Sequence, residues 1–236
     1  MERRVGTAGW TLPRALRERF DGDGTHLERY ARRFCCVEIN SSFYRPHRTT
    51  TYERWARSVP EDFRFALKLP KQITHVQRFV AADELLARFL DESAALGVKR
   101  DVILVQLPPS FAYEARVAEP FFTLLRARYS GQVACEPRHA SWFASAPDAL
   151  LRAFRIARVA ADPAPVEAAA VPGGSSELRY WRLHGSPQMY YSSYGEARLE
   201  AIANAVRTAD GAAWCIFDNT TLGAATANAL AVMDAL

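Results

Sequence analysis

The sequence lacks the features that mark membrane, secreted and metal-cluster proteins. None of its apolar runs approaches the roughly 20 residues that span a bilayer. The charged start has no apolar stretch behind it, which predicts the absence of a secretion signal. Only four of the 236 residues are cysteine, and no two of them form a Cys-x-x-Cys pair. We therefore expect a cytoplasmic protein with free thiols and no membrane association.

Phosphate-binding signatures and blocks of basic residues are also absent. Neither Gly-x-Gly-x-x-Gly nor a Walker sequence occurs, which argues against a dinucleotide or a nucleoside triphosphate, and we expect no cofactor. The net charge is +4, but only three of the 30 basic residues are lysines and no run of five basic residues occurs. This distribution suits solvated helix faces better than a nucleic-acid-binding tail, although nucleic acid stays open as an alternative partner.

What the sequence does contain is an alternation of strand-like and helix-like segments. Eight short apolar segments, rich in β-branched or aromatic residues, end in turn-forming or polar residues. They are Val5–Gly9, Cys36–Asn40, Phe63–Leu69, Val102–Leu107, Val133–Arg138, Ala157–Asp162, Arg179–His184 and Ala213–Asn219. Segments with helical periodicity separate most of them. These are Leu27–Phe34, Tyr52–Arg57, Ala81–Leu96, Ala115–Tyr129, Pro147–Phe154, Ala197–Arg207 and Leu222–Leu236.

This alternation favours a parallel sheet with right-handed crossovers. Eight such units in 236 residues are typical of a (β/α)8 barrel, the TIM barrel, and we expect one such domain over residues 1–236. A doubly wound open sheet is the alternative. The stretch Pro163–Ser176 is rich in Pro, Ala and Gly, so we expect an irregular or missing helix between strands six and seven.

Most predicted strands begin apolar and finish polar. Barrel strands are covered by helices, so a charge pointing outward would be buried at a cost of several kcal/mol if unpaired. We therefore expect these side chains to point inward at the carboxyl mouth, where barrel enzymes keep their chemistry. A structural ion-pair network that plugs the barrel is the alternative. The polar strand-end residues are Glu38, Asn40, Lys68, Gln106, Glu136, Arg138, Asp162, Arg182, His184, Asp218 and Asn219.

The loops after the strands are aromatic and basic. Rings beside hydrogen-bonding groups suit a sugar or a base, although each ring could equally pack a loop onto the sheet. The turn Asn219–Gly223, with Thr221 as a candidate helix cap, is expected to leave backbone N–H groups free for phosphate near Arg182 and His184. The candidate substrate-binding residues of these loops are Trp10, Tyr44, Arg45, His75, Trp142, Tyr194 and Thr221, and His139 is a candidate proton carrier.

Several ordered motifs resemble the YecE-like family, domain of unknown function 72. They are Gly6-Thr7-Ala8-Gly9-Trp10, Val37-Glu38-Ile39-Asn40-Ser41-Ser42-Phe43-Tyr44-Arg45-Pro46, Ile73-Thr74-His75, Gln106-Leu107-Pro108-Pro109-Ser110-Phe111, Glu136-Pro137-Arg138-His139-Ala140-Ser141-Trp142, Arg182-Leu183-His184-Gly185 and Phe217-Asp218-Asn219-Thr220. The resemblance implies a barrel, distantly similar to endonuclease IV and xylose isomerase, and implies little about chemistry. The Arg-rich stretch Thr11–Gly24 departs from the aromatic, glycine-rich pattern of the family.

Three hypotheses for function follow. The first is a metal-independent enzyme that acts on a phosphorylated or otherwise anionic sugar or nucleotide. In it Glu38 and Glu136 act as acid or base, His139 and His184 carry protons, Asp218 assists, and Lys68, Arg138 and Arg182 stabilise negative charge. The second is a divalent-metal hydrolase or isomerase with Glu136, Asp162, His184 and Asp218 as ligands, opposed by the three nearby cations. The third is a non-catalytic nucleic-acid-binding protein. The oligomeric state has no signal in the sequence.

Overall fold

The computed structural model describes residues 2–236 and has a mixed α/β fold built on parallel sheets. Four strands pair in the order β1-β10-β9-β7 and six in the order β2-β3-β4-β5-β6-β8. Every strand pair is parallel except β6 with β8. The strands are β1 Arg3–Thr7, β2 Cys36–Ile39, β3 Arg64–Lys68, β4 Arg100–Gln106, β5 Gln132–Glu136, β6 Ile156–Arg158, β7 Ala160–Asp162, β8 Gly173–Gly174, β9 Leu178–Leu183 and β10 Ala212–Phe217.

Among residues 2–236 there are eight α-helices, of which seven lie between strands and α8 follows β10, and most lie where helical periodicity predicts them. They are α1 His26–Tyr30, α2 Ser41–Tyr44, α3 Thr49–Arg57, α4 Asp83–Ser93, α5 Ala115–Arg128, α6 Ser145–Ala153, α7 Glu196–Thr208 and α8 Ala224–Asp234. The short helix α2 is not predicted from the sequence. The irregular unit after the sixth predicted strand is confirmed, because it holds only the short 3-10 turn Glu167–Ala170 and the two-residue β8.

The two sheets are joined at two places, by hydrogen bonding at one and by the continuing chain at the other. At one, the N–H of Ala8 donates to Phe217 of β10 (2.9 Å) and the N–H of Gly9 donates to Glu38 of β2 (2.8 Å). At the other, β6 pairs with β5, while β7, one residue further along, pairs with β9. A side chain at Gly6 would place a Cβ atom 2.5 Å from the carbonyl oxygen of Cys36, so glycine permits the close approach of β1 to β2.

Side-chain alternation along the strands stacks two layers on one face of the sheets. The lower layer is a buried apolar cluster that includes Cys36, Ala66, Ala134, Tyr180 and Ile216. Because strand side chains repeat every two residues, the next residue on the same face of each strand belongs to the upper layer. Those residues are Glu38, Lys68, Glu136, Arg182 and Asp218, all of them buried. The sheets thus gather five ionisable side chains at the carboxyl ends of their strands.

Among residues 2–236, no helix combines the length and the apolar character needed to cross a bilayer. The four cysteines are free thiols, as the sequence predicts, and Cys36, Cys135 and Cys215 are buried.

Candidate functional site

Arg182 is the centre of the candidate site. Its side chain is fully buried, and its guanidinium donates to three carboxylates from three other strands. Two donations go to Glu38, at 2.7 and 3.1 Å. One goes to Glu136 Oε2 at 2.6 Å and one to Asp218 Oδ2 at 2.9 Å. The guanidinium therefore fixes the three acids relative to one another with charge-assisted hydrogen bonds.

His184 lies between two of these acids. Its Nε2 is 3.0 Å from Glu136 Oε1, and its Nδ1 is 3.1 Å from Asp218 Oδ2 but outside hydrogen-bonding direction. Arg138 pairs with Glu136 and also contacts His184 Nε2. A protonated Nε2 would donate to Glu136, whereas an unprotonated one would accept from Arg138. The arrangement can hold a proton in two ways, which suits acid–base chemistry.

The cations keep the two acids beside His184 ionised. Burial by itself would raise the pKa of Glu136, but Arg138 and Arg182 outweigh it and lower that pKa well below its ordinary value. Burial would likewise raise the pKa of Asp218, and Arg182, followed by His184, lowers it instead. In the opposite sense, the carboxylates raise the pKa of Arg182 despite its burial. Glu136, Asp218 and Arg182 are therefore charged at neutral pH.

Lys68 is the one cation of this site with no ion-pair partner among residues 2–236. Only 6% of the residue is exposed, and its amine lies 4.1 Å from the centre of the Phe43 ring. Burial and the positive charge of Arg182 lower the pKa of Lys68 to about 8, partly offset by Glu38, Glu136 and Asp218. A substantial fraction of this amine is neutral near physiological pH.

Two amide side chains border the charged site. The Nδ2 of Asn40 donates to Asp218 Oδ1 at 3.4 Å, while its buried Oδ1 has no partner among the described residues. Asn219 donates to Ser192 O and Asn228 Oδ1, and its Oδ1 is likewise buried without a described partner. Gln106 is half-buried and pairs in register with Glu136.

Comparison with known proteins identifies the family of this chain. A family model described as "Protein of unknown function DUF72" matches residues 4–236. The chain belongs to the DUF72 family. It is 31% identical over 171 residues to the UPF0759 protein YecE of Escherichia coli K12, an alignment that covers 70% of this chain and 61% of YecE. Identity to the UPF0759 protein YunF of Bacillus subtilis is 25% over 147 residues, covering 59% of this chain and 51% of YunF. The matched regions thus span less than two thirds of these relatives.

Solved structures of other DUF72 proteins share the fold. The chain superposes on a family member from Enterococcus faecalis V583 with a TM-score of 0.81 and 20% identity, covering 99% of this chain and 94% of the other. A member from Thermotoga maritima MSB8 gives a TM-score of 0.79 and 24% identity, covering 99% and 98%.

One strand-end prediction for this DUF72 chain is wrong. The Asp162 carboxylate does not join the site but pairs with Arg198 of α7, with 2.5 Å between Oδ2 and the guanidinium nitrogen. The physical reason is parity along the strand, because Ala157 and Val159 belong to the inward apolar cluster. Their period of two makes Ala161 the next inward residue and turns Asp162 toward the helix.

Two further candidates have structural roles in the loop after β5. Trp142 was predicted to bind substrate, but it is fully buried, packs against Phe111 and Tyr113, and donates to Phe111 O at 2.9 Å. His139 was predicted to carry protons, but its Nδ1 accepts from Ser141 N at 3.2 Å and caps the turn Ala140–Phe143. Sequence spacing cannot separate a capping or packing ring from a substrate-binding one.

Among residues 2–236, the candidates from the first three loops form no hydrogen bond or ion pair with the charged residues of the site. The Trp10 ring is half-buried and packs 5.0 Å from Trp55. Tyr44 is 75% exposed, and Arg45 is exposed beside it. His75 packs on Phe43, and burial, together with Lys68, lowers its pKa to about 4, so it is neutral at physiological pH.

The turn predicted to bind phosphate uses part of its backbone internally. Thr221 is exposed, and its N–H donates to Tyr190 O at 3.2 Å. Helix α8 begins at Ala224 instead of Leu222, because Gly223 adopts a left-handed conformation with φ of 80°. Tyr194 is buried, and its hydroxyl accepts from Gly185 N at 2.8 Å and supports the loop after β9. Arg182 donates four hydrogen bonds to carboxylates, and its Nη1 also lies 3.5 Å from His184 Nε2, so its donors are engaged in this network and not in the turn.

Three aromatic residues shape the site, and sequence reasoning missed one of them, Tyr180. Tyr180 lies in the apolar layer, and its hydroxyl donates to Glu38 Oε2 at 2.9 Å. Phe43 lies beneath the Lys68 amine, and the Tyr190 ring meets His184 edge-on at 5.6 Å. Tyr180 and Arg182 lie two residues apart on β9, and His184 follows at the same spacing just after the strand. This period of two predicts that Tyr180 shares the inward face.

The ligand set of the metal hypothesis does not assemble. Within residues 2–236, no three His, Cys, Asp or Glu side chains form a group with metal-binding geometry. Asp162 lies on the opposite face, and Arg182 contacts both Glu136 and Asp218. A dication would meet the guanidinium at the point where it would need those carboxylates.

Proposed function

We propose that this DUF72 chain is a single-domain (β/α)8 barrel enzyme that acts without a metal on an anionic sugar or nucleotide. The closed barrel is supported by the hydrogen bonds that link the two sheets beside Gly9 and by the strand that continues from β6 into β7. In this arrangement the charged layer lies at the carboxyl mouth, which is where barrel enzymes carry out their chemistry.

The observation that carries the proposal is the Glu136–His184–Asp218 group held on Arg182. His184 lies within 3.1 Å of both carboxylates, and all four side chains are almost fully buried. We assign the proton transfers to Glu136 and His184. Arg138 and Lys68 stabilise negative charge that develops on the substrate.

A purely structural network explains less of the arrangement. The acids Glu38, Glu136 and Asp218 balance three cations, but one of those cations, Lys68, forms no ion pair among residues 2–236. Apolar side chains of similar volume usually stabilise a core as well as buried ion pairs or better. An unpaired buried amine therefore favours function over stability.

We expect Glu136→Gln to lower turnover about 10²–10⁴-fold, because it removes the proton acceptor beside His184. The measurement is conversion of a panel of sugar phosphates and nucleotides, followed by NMR in the presence of a chelator. Asp162→Asn is the matched control and should retain turnover, because Asp162 faces α7. Loss of turnover on chelation would favour a metal enzyme, and full activity of Glu136→Gln would contradict the proposal.

We further assign the anionic group of the substrate to a cavity of about 420 Å³ beside the N-terminus of α8. The cavity is lined by Arg14 and by five threonines, of which Thr226 is 3% exposed. Arg14 forms no ion pair within the described part of the chain, and the start of α8 adds the positive end of its dipole. The five threonines are Thr7, Thr11, Thr220, Thr221 and Thr226.

Inorganic phosphate should therefore raise the melting temperature of the wild type, and Arg14→Ala should remove most of that increase. A charge-assisted hydrogen bond is worth about 1.5–3 kcal/mol, which makes the loss measurable. Arg17→Ala, on the same turn but outside the cavity, is the matched control. If phosphate shifts the two variants equally, the anion does not bind in this cavity.

A further inference from the structure

Lys68 differs from the other two lysines of the chain. Lys99 donates to two carbonyl oxygens, at 2.6 Å from Ala56 O and 2.7 Å from Val59 O, and Lys71 is exposed. Lys68 is buried, and among residues 2–236 its amine has neither a hydrogen-bond acceptor nor a carboxylate within 4.0 Å. Its contact is the face of Phe43, a ring that also lines a cavity of about 400 Å³.

The surroundings of this amine make its neutral form more accessible than it is for an ordinary lysine, because they lower its pKa to about 8. Burial removes water from the amine, and the positive charge of Arg182 on β9 opposes a second positive charge there. Desolvation and a neighbouring cation are the two means by which proteins turn lysine into a nucleophile. The charged and titratable groups around Lys68 are Arg182, Glu38, Glu136 and Asp218 on the other strands and His75 on the adjoining turn.

We propose that Lys68 is a nucleophilic amine that forms an imine with a carbonyl carbon of the substrate. This inference rests on the proposed function and narrows its substrate class to anionic molecules with an aldehyde or ketone group. Lys68 stands on the inward face of β3, in the same layer as Glu136, whose carboxylate contacts His184. The nucleophile and the stabilising charges thus lie in one layer, and the proton carrier contacts that layer.

The step balances without an oxidant or reductant. The nitrogen lone pair attacks the carbonyl carbon, a C–N bond forms, and the carbonyl oxygen takes up a proton to give a carbinolamine. The nitrogen then loses one of its two protons, the hydroxyl gains one and leaves as water, and a C=N bond remains whose nitrogen keeps its second proton. The Glu136–His184 pair is assigned these proton transfers. The resulting N-protonated imine is a cation, which the nearby carboxylates stabilise.

Reductive trapping with glyoxylate, a small anionic aldehyde, and cyanoborohydride tests the proposal on the intact protein. Because the chain has only three lysines, peptide mapping by mass spectrometry reads each one separately. At neutral pH we expect Lys68 to be labelled more than about tenfold faster than Lys71 or Lys99, because its lowered pKa increases its neutral fraction and, unlike Lys99, its amine donates to no carbonyl oxygen among residues 2–236. Its labelling rate should rise to half its maximum near the pKa of about 8.

The controls separate this inference from the proposed function. Fast labelling should be lost in Lys68→Arg and retained in Lys71→Arg. If Lys68→Arg folds poorly, the peptide map of the wild type still shows which lysine is labelled fastest. Labelling of Lys68 no faster than that of Lys71 would overturn the imine. If the substrate panel is still converted in that case, the proposed function stands without an imine. Fast labelling of Lys68 without conversion of any substrate in the panel would support the nucleophilic amine and contradict the proposed function.

Discussion

Arg182→Ala should lower the free energy of unfolding by about 3–5 kcal/mol, the usual cost of breaking a buried ion pair from one side. The substitution leaves Glu38, Glu136 and Asp218 near one another in a buried layer without the guanidinium that contacts all three. Repulsion among the three carboxylates and the loss of their hydrogen bonds to Arg182 both lower the free energy of unfolding. Urea unfolding of both proteins at neutral pH measures the difference.

A matched substitution on the same strand shows whether the effect belongs to the network. Arg179 is half-buried near the start of β9, and within residues 2–236 it has no ion-pair partner, so Arg179→Ala should cost far less. Adding Glu38→Gln to Arg182→Ala should recover part of the loss, because it removes one uncompensated charge. Equal losses for the two arginine variants would mean that the network contributes little to stability.

Lys68→Met should have the opposite effect and stabilise the protein at neutral pH, by up to about 3 kcal/mol. The pKa of Lys68 is lowered from 10.5 to about 8, so below pH 8 the folded state holds an ammonium that burial penalises. Between these two values the unfolded state binds more protons, and wild-type stability rises with pH. Above 10.5 the amine is neutral in both states, and the advantage of the variant should vanish.

The decisive measurement is how the difference in unfolding free energy between Lys68→Met and wild type changes with pH. Urea unfolding of wild type and Lys68→Met from neutral to alkaline pH should give curves that converge as the pH rises. Lys71→Met, at an exposed lysine, should show no such convergence. A Lys68→Met protein less stable than wild type at neutral pH would mean that the amine is a net stabilising partner of the carboxylates. A Lys68→Met protein more stable than wild type at neutral pH would show that Lys68 lowers stability, as functional residues often do.

Much of the candidate site was predictable from the sequence because strand periodicity determines it. Polar residues at the ends of apolar strands, such as Glu136 and Arg182, had to lie on the inward face, since the outer face is covered by helices. The structure gathers Glu38, Lys68 and Asp218 with them. The same period, applied from Ala157 and Val159, places Ala161 on the inward face and excludes Asp162 from it.

The sequence by itself determined the alternation of strands and helices, the irregular unit after the sixth predicted strand, and the charged layer, because these follow from local periodicity and composition. Only the tertiary structure decided which loop residues reach that layer. Trp142 became part of the apolar core and His139 a helix-turn cap. Only tertiary packing decided which charged side chains pair. Arg182 contacts the carboxylates near it, whereas Lys68 lies against the Phe43 ring. These pairings depend on distances between strands that are far apart in sequence.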